Sequence, residues 1–144
     1  MKSVSPFLNF DGKTEEAFSF YSSVFGGEIS SLQRYKDMPG AEGFSSSEKD
    51  KVMYAALPLG KVGMLLASDV PETMAKQFKV GTNASIMLEA ESEGEAKRLF
   101  KSLSEGGEVT MPLQRTFWGA LYGNFADKYG VRWMVNYTYP QPPK

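Results

Sequence analysis

Two stretches of this chain repeat one another, and the repeat narrows the possible folds more than any other feature. Residues 16–29 read Glu16-Ala17-Phe18-Ser19-Phe20-Tyr21-Ser22-Ser23-Val24-Phe25-Gly26-Gly27-Glu28-Ile29. Residues 95–109 read Glu95-Ala96-Lys97-Arg98-Leu99-Phe100-Lys101-Ser102-Leu103-Ser104-Glu105-Gly106-Gly107-Glu108-Val109. Ala17, Phe20, Tyr21 and Val24 match Ala96, Leu99, Phe100 and Leu103. Each set runs i, i+3, i+4, i+7, the spacing of one apolar helix face. Both helices stop at a Gly-Gly pair, where glycine can adopt the left-handed conformation that closes a helix. Ser92-Glu93-Gly94-Glu95 predicts a capping box for the second helix, with Glu95 reaching back. Asp11-Gly12-Lys13-Thr14 supplies a less regular cap for the first. Helical spacing alone could arise twice by chance. The shared Glu-Ala opening and the Gly-Gly-acid-β-branched ending point instead to a duplication.

Strand-like runs surround each helix. Val4–Phe10 precedes the first, and residues 28–35, 51–59 and 62–68 follow it. Ala84–Ala90 precedes the second, and residues 108–116, 120–126 and 131–139 follow it. Each half is therefore expected to be βαβββ. The halves cover about residues 1–69 and 82–144 of one domain and are joined by a linker over 70–81. Residues 36–50 form a long polar loop with Pro39, Gly40, Gly43 and three consecutive serines, either a functional lid or a mobile segment. The tail Pro140-Gln141-Pro142-Pro143 predicts an extended end.

Composition removes many chemistries. With 144 residues the chain is long enough for a sizeable core without metal or disulfide staples. It contains no cysteine and no histidine, which excludes disulfides, thiolate nucleophiles, imidazole ligands and any Ser-His or Cys-His triad. Sixteen basic and 17 acidic residues give a net charge of −1, a poor basis for a nucleic-acid platform. The apolar runs are far shorter than a membrane span. The opening Met1-Lys2-Ser3-Val4-Ser5-Pro6 lacks a signal-peptide core, so a cytoplasmic location is expected.

The residues that carry a family resemblance span nearly the whole chain. They are Pro6-Phe7-Leu8-Asn9-Phe10, Glu16–Tyr21, Tyr35-Lys36-Asp37-Met38-Pro39, Ser68-Asp69 and Gly106-Gly107-Glu108-Val109, followed by Trp118-Gly119, Tyr122-Gly123 and Asp127–Asn136. With the duplicated βαβββ pattern, they resemble the vicinal oxygen chelate superfamily of glyoxalase I, extradiol dioxygenases, fosfomycin-resistance proteins and bleomycin-binding proteins. The match is closer to its PhnB-like branch, often labelled a 3-demethylubiquinone 3-methyltransferase domain. The resemblance implies an α+β fold in which duplicated βαβββ modules form curved mixed sheets around a cup, with helices outside. It also implies a small-molecule pocket and a homodimer. It does not imply one reaction, because scaffold and chemistry are separable.

Metal-dependent members of that superfamily take ligands from the first and last strands of each half. Carried over, those positions fall near Pro6 or Phe7, Leu65, Ser85 and Met134, and a one-residue shift brings in Asn9, Leu66 or Val135. A hard divalent ion needs charged or strongly polar donors, which this set lacks, so neither metal nor cofactor is expected. A histidine common on the branch's third strand is replaced in Val52-Met53-Tyr54-Ala55. Tyr54 is therefore either a hydrogen-bonding or stacking plate for a ligand, or an aromatic core residue. Trp118, beside Phe117 and Gly119 with Tyr122 four residues on, is a ligand wall or a sheet and dimer contact. Arg132, Met134 and Asn136 share one face of the last strand, where Arg132 could anchor an anion. Asp69 and Asp127 lie at strand ends beside turns, where aspartate usually accepts backbone hydrogen bonds but could serve chemistry.

The first functional reading is a binding protein that holds a small, partly apolar molecule without a metal ion, rather than an enzyme. The alternative is an enzyme acting metal-free through Tyr54, Asp69 or Arg132, or with an unconventional carboxylate site. No glycine-rich loop of the kind adenosyl cofactors often use is present, so the methyltransferase label gains no support. The acidic balance disfavours the third reading, a DNA-binding regulator. Trp133, Tyr137 and Tyr139 crowd the last strand and add to the expectation of a homodimer, since exposed aromatic strands are usually covered.

Overall fold

The computed structural model describes residues 1–141 and resolves two compact units, residues 1–79 and, from residue 80 on, the rest of the described chain, each built around a four-stranded mixed sheet. The first unit runs β1 (Phe7–Phe10), α1 (Thr14–Phe25), β2 (Ser31–Arg34), α2 (Ser46–Lys49), β3 (Val52–Leu59) and β4 (Gly63–Asp69). The second runs β5 (Ile86–Glu89), α3 (Glu93–Ser104), β6 (Glu108–Arg115), β7 (Ala120–Ala126) and β8 (Arg132–Thr138). Strand order is β1-β4-β3-β2 in one sheet and β5-β8-β7-β6 in the other. In each, the strand before the helix pairs parallel to the last strand, and the remaining pairs are antiparallel. The expected duplicated βαβββ topology and α+β class are therefore observed.

The Gly-Gly pairs have two distinct tasks. Gly26 caps α1 at φ 79°, its amide donating to the Ser22 carbonyl. Gly106 has φ 78° but stands one residue past Glu105, the C-cap of α3. The second glycine of each pair makes room for a strand: a Cβ on Gly27 would lie 2.7 Å from the Pro58 carbonyl oxygen, and one on Gly107 2.1 Å from that of Ala126. Left-handed geometry thus accounts for one glycine of each pair and close backbone approach for the other.

The helix starts differ from expectation in an instructive way. Ser92 Oγ accepts from the Glu95 amide at 3.0 Å, as a capping box requires. Glu95 Oε1 reaches one residue further than expected, to the Glu91 amide at 3.0 Å. On α1, Lys13 occupies the N-cap and its side chain caps nothing. The acceptor for the Thr14 amide is Asp69 Oδ1, at 3.0 Å, from the end of β4. The buried face of α1 comprises Thr14, Ala17, Phe18, Tyr21 and Val24, so Phe18 takes the place expected for Phe20, which is half-buried. In α3, Ala96, Leu99 and Leu103 are buried, while Phe100 packs edge-on to Phe125 with ring centroids 5.0 Å apart.

Other boundaries shift for local reasons. Strand β1 starts at Phe7 rather than Val4, because Pro6 has no amide to extend the ladder, although its carbonyl still accepts from Leu66. The 36–50 stretch is ordered into 3₁₀ turns over Tyr35–Asp37 and Ala41–Gly43, followed by α2. The linker contains a 3₁₀ turn over Glu72–Gln77, and Asp69 belongs to β4. Residues 139–141 carry no regular element, and the remainder of the expected extended tail lies outside the described residues. Trp133 is fully buried, and β8 is an inner strand. Trp133 therefore presents no uncovered aromatic surface, while Tyr137 and Tyr139 pack against each other with centroids 5.0 Å apart. No helix among the described residues is long and apolar enough to cross a membrane.

Tyr35 ties the ordered stretch to the sheet by donating its hydroxyl to the Asp69 carbonyl at 2.7 Å. Burial, and then the negative charges of Asp69 and Glu48, hold its phenol above the ordinary value of 10.0. The folded chain thus keeps this proton at a pH where the unfolded chain has begun to release it. Stability from Tyr35 is complete below the ordinary value and is lost as pH rises through the raised one. Urea midpoints measured from pH 8 to 11 are expected to fall more steeply for the wild type than for Tyr35→Phe. Parallel curves would refute the assignment.

Candidate functional site

A β-strand sends alternate side chains to opposite faces, so the ladder registers sort each sheet into a face packed on its helix and an open face. In the first sheet Leu57, Leu65 and Ala67 are buried on the helix side. The open face carries Phe7 beside Leu66, Asn9 beside Ser68, and Tyr54 beside Gln33. The Ser68 hydroxyl donates to Asn9 Oδ1 at 3.3 Å, and the Phe7 and Tyr54 rings lie tilted with centroids 6.5 Å apart.

Along the outer flank of β1, this face opens into a groove of about 570 Å³. Its apolar lining includes Phe7, Val70, Pro71, Met74 and Phe78, and its polar lining is Asn9, Ser68, Gln77 and Lys79. Phe7 is 48% exposed, an unusual state for a phenylalanine on a strand. The 3₁₀ turn over Glu72–Gln77 forms one wall and is itself held in place. Glu48 Oε2 accepts the Glu72 amide at 2.6 Å, while Glu72 Oε1 accepts the Ser45 and Ser47 hydroxyls at 2.7 and 2.9 Å. Those two hydroxyls hold the Glu72 carboxyl below its ordinary range. The serine run of the 36–50 stretch thus acts as a clamp on the groove wall.

In the second sheet, Trp133 and Val135 pack on the helix side and Arg132, Met134 and Asn136 share the open face, as strand alternation predicts. Tyr122 joins them as the cross-strand partner of Asn136, and Asn124 as the partner of Met134. Asn124 Nδ2 donates to the Tyr122 hydroxyl at 3.2 Å. Asn136 Nδ2 donates to Glu89 Oε2 at 2.8 Å, and the Thr138 hydroxyl donates to Glu89 Oε1 at 3.1 Å. This network is polar and self-satisfied, with Met87 and Met134 side by side at its apolar end.

Four of the expected site residues, Tyr122, Arg132, Met134 and Asn136, therefore gather on one face. Tyr54 and Asp69 belong to the other unit. Tyr54 is half-buried behind Phe7, whereas Asp69 is buried toward the helix with both carboxylate oxygens occupied by main-chain amides, Thr14 at 3.0 Å and Val52 at 2.8 Å. Trp118 lies in the turn between β6 and β7, 59% exposed and edge-on to Phe117 at 4.9 Å. The groove lining escaped the sequence reading, because its residues come from β1, β4 and a linker that showed no periodicity. The one available signal was Phe7 alternating with Asn9.

The register also refines the positions that the family resemblance implies for ion ligands. Leu65 is buried against the helix, and it is Leu66 that shares a face with Phe7. In the second unit the neighbours are Met87 and Met134. Hydrocarbon and thioether side chains do not fit a hard divalent ion. Among the described residues, no group of three Asp, Glu, His or Cys side chains is placed to hold one.

Comparison with known proteins agrees with this architecture. The model of the Glyoxalase/Bleomycin resistance protein/Dioxygenase superfamily matches residues 4–135. Protein YjdN of Escherichia coli strain K12 is 26% identical, over 96% of this chain and 97% of its own. The crystal structure of protein PA1353 from Pseudomonas aeruginosa superposes with a TM-score of 0.81 at 38% identity, covering 96% of this chain and 98% of that one. The PhnB protein from Bacillus cereus gives a TM-score of 0.78 at 28% identity, over 95% of this chain and 100% of its own.

Proposed function

The chain belongs to the Glyoxalase/Bleomycin resistance protein/Dioxygenase superfamily and is PhnB-like within it; from that premise we propose that it binds a small, partly apolar organic molecule without a divalent ion. The groove on the first sheet carries this reading. Its volume of about 570 Å³ lies within the range of about 300–1,000 Å³ usual for small-molecule sites. Its lining combines an apolar floor with a few polar groups, the pattern that buries a ligand's body while fixing its orientation. Tyr54 supports the floor by packing against Phe7. Arg132, Met134 and Tyr122 offer a second face for ligand contact, with Asn136 buried beside them and bonded to Glu89, and Trp118 offers a ligand or partner contact at its turn.

The deciding experiment is native mass spectrometry of protein produced without a histidine tag, since a tag would add the only imidazoles present. A metal-free protein that carries a small organic adduct, or takes one up from a metabolite and antibiotic panel in the presence of EDTA, is the expected result. A stoichiometric divalent ion whose removal abolishes binding would overturn the proposal and reopen the enzymatic reading through the carboxylates. The same spectrum reports whether the protein is a homodimer.

A further inference from the structure

We infer that the groove on the first sheet selects an anionic aromatic or alicyclic molecule, one with an apolar body and a single negatively charged group. The inference rests on the proposed binding role of that groove and adds the chemical class of its occupant. Among the described residues that line the groove, Lys79 alone is charged and none is a carboxylate. That asymmetry is notable in a chain whose acidic residues outnumber its basic ones by 17 to 16. The nearest acid in sequence to the lining residue Ser68, Asp69, points to the helix side and spends both oxygens on main-chain amides. Lys79 can therefore offer its ammonium to a ligand without a competing acid in the groove.

The neutral lining complements this charge. The side-chain amides of Asn9 and Gln77 each carry an NH2 that can donate a hydrogen bond, and the Ser68 hydroxyl donates to Asn9 Oδ1. Strand β1 is an edge strand, pairing only with β4. The Pro6 and Phe10 carbonyls accept from the Leu66 and Val70 amides. Because successive residues of a strand direct their main-chain groups to opposite sides, the Phe7 and Asn9 amides face the unpaired edge. The apolar part, with Phe7, Phe78 and Met74, suits a flat hydrophobic body, since aromatic rings and thioethers both stack well on aromatic faces.

Two fluorescent dyes that share an aromatic body but differ in charge test this. Anilinonaphthalene sulfonate is anionic, and N-phenylnaphthylamine is neutral. Both are expected to bind the folded protein saturably, and Phe7→Ala is expected to weaken both. Lys79→Met should weaken the anionic dye about fivefold, roughly the worth of one partly exposed charge pair, and leave the neutral dye unchanged. Raised salt should mimic that substitution for the anionic dye alone. If both dyes depend on Phe7 but Lys79→Met does not discriminate between them, the anion inference falls and the groove stands. If neither dye binds, or Phe7→Ala changes nothing, the groove reading itself falls and carries the inference with it.

Discussion

Replacing Asp69 with alanine is expected to lower the unfolding free energy by about 3–5 kcal/mol, because two buried amides lose a charged acceptor together. Asp69 is 2% exposed. Its Oδ1 accepts the Thr14 amide at the start of α1, and its Oδ2 accepts the Val52 amide at the start of β3, at 3.0 and 2.8 Å. The first of these is an N-terminal helix cap supplied from 55 residues away. A carboxylate at that position also interacts favourably with the helix dipole. Neither amide can reach water when the side chain is removed, so each pays the penalty of an unsatisfied buried donor. Asp69→Asn should recover only part of the loss, since its amide nitrogen would face one of the two N–H groups. Urea unfolding followed by circular dichroism measures both variants. A loss below about 1 kcal/mol for the alanine variant would show that the carboxylate does not hold these elements together.

Asp127→Ala is expected to cost about 2–4 kcal/mol and to loosen the packing of Trp133. Its Oδ1 accepts the Tyr129 and Val131 amides at 2.8 and 3.1 Å, closing the turn between β7 and β8. Its Oδ2 accepts the indole Nε1 of Trp133 at 2.8 Å. Trp133 is fully buried, and an indole N–H can only donate, so it would be left without this acceptor in an apolar setting. The turn amides are only part-buried and can find water, which is why the expected loss is smaller than for Asp69. In a Trp118→Phe background Trp133 is the sole tryptophan, and its acrylamide quenching should rise when Asp127 is replaced. Unchanged quenching together with an unchanged urea midpoint would refute the role assigned to Asp127.

Both aspartates looked alike in the sequence, as acids at strand ends beside turns, and either could have been assigned to chemistry. The difference lies in what surrounds them. Asp69 is reached by two amides distant in the chain, whereas Asp127 serves two amides within four residues and an indole six residues on. A local turn can be read from sequence spacing, but a helix cap supplied by another strand cannot. That is why Lys13 stands at the N-cap of α1 without capping it.

The glycine pairs show the same division. The end of α1 at residue 25 follows from a local rule, since Gly26 adopts φ > 0 at no steric cost, whereas in α3 the positive φ falls at Gly106, one residue past the extended C-cap Glu105. That Gly27 and Gly107 lie against the Pro58 and Ala126 carbonyls depends on how each helix end meets the middle of its sheet. Likewise, period-two alternation placed Arg132, Met134 and Asn136 on one face, because pleating is intrinsic to a strand. Which face packs on the helix was settled by the ladder, and it moved the carried-over position from Leu65 to Leu66.

The duplicated helix pattern, the βαβββ order and the absence of imidazole and thiol donors were therefore determined by the sequence alone, because each rests on local periodicity or residue type, while the superfamily was legible through the resemblance that the motifs carry. The groove was decided only by tertiary structure. Phe7, Ser68 and Met74 have no shared period, and they meet because β1 pairs parallel to β4 while the Ser45–Glu48 clamp folds the Glu72–Gln77 turn beside them. Such contacts between segments far apart in the chain form only once the sheet has set their register, so no window of sequence contains them.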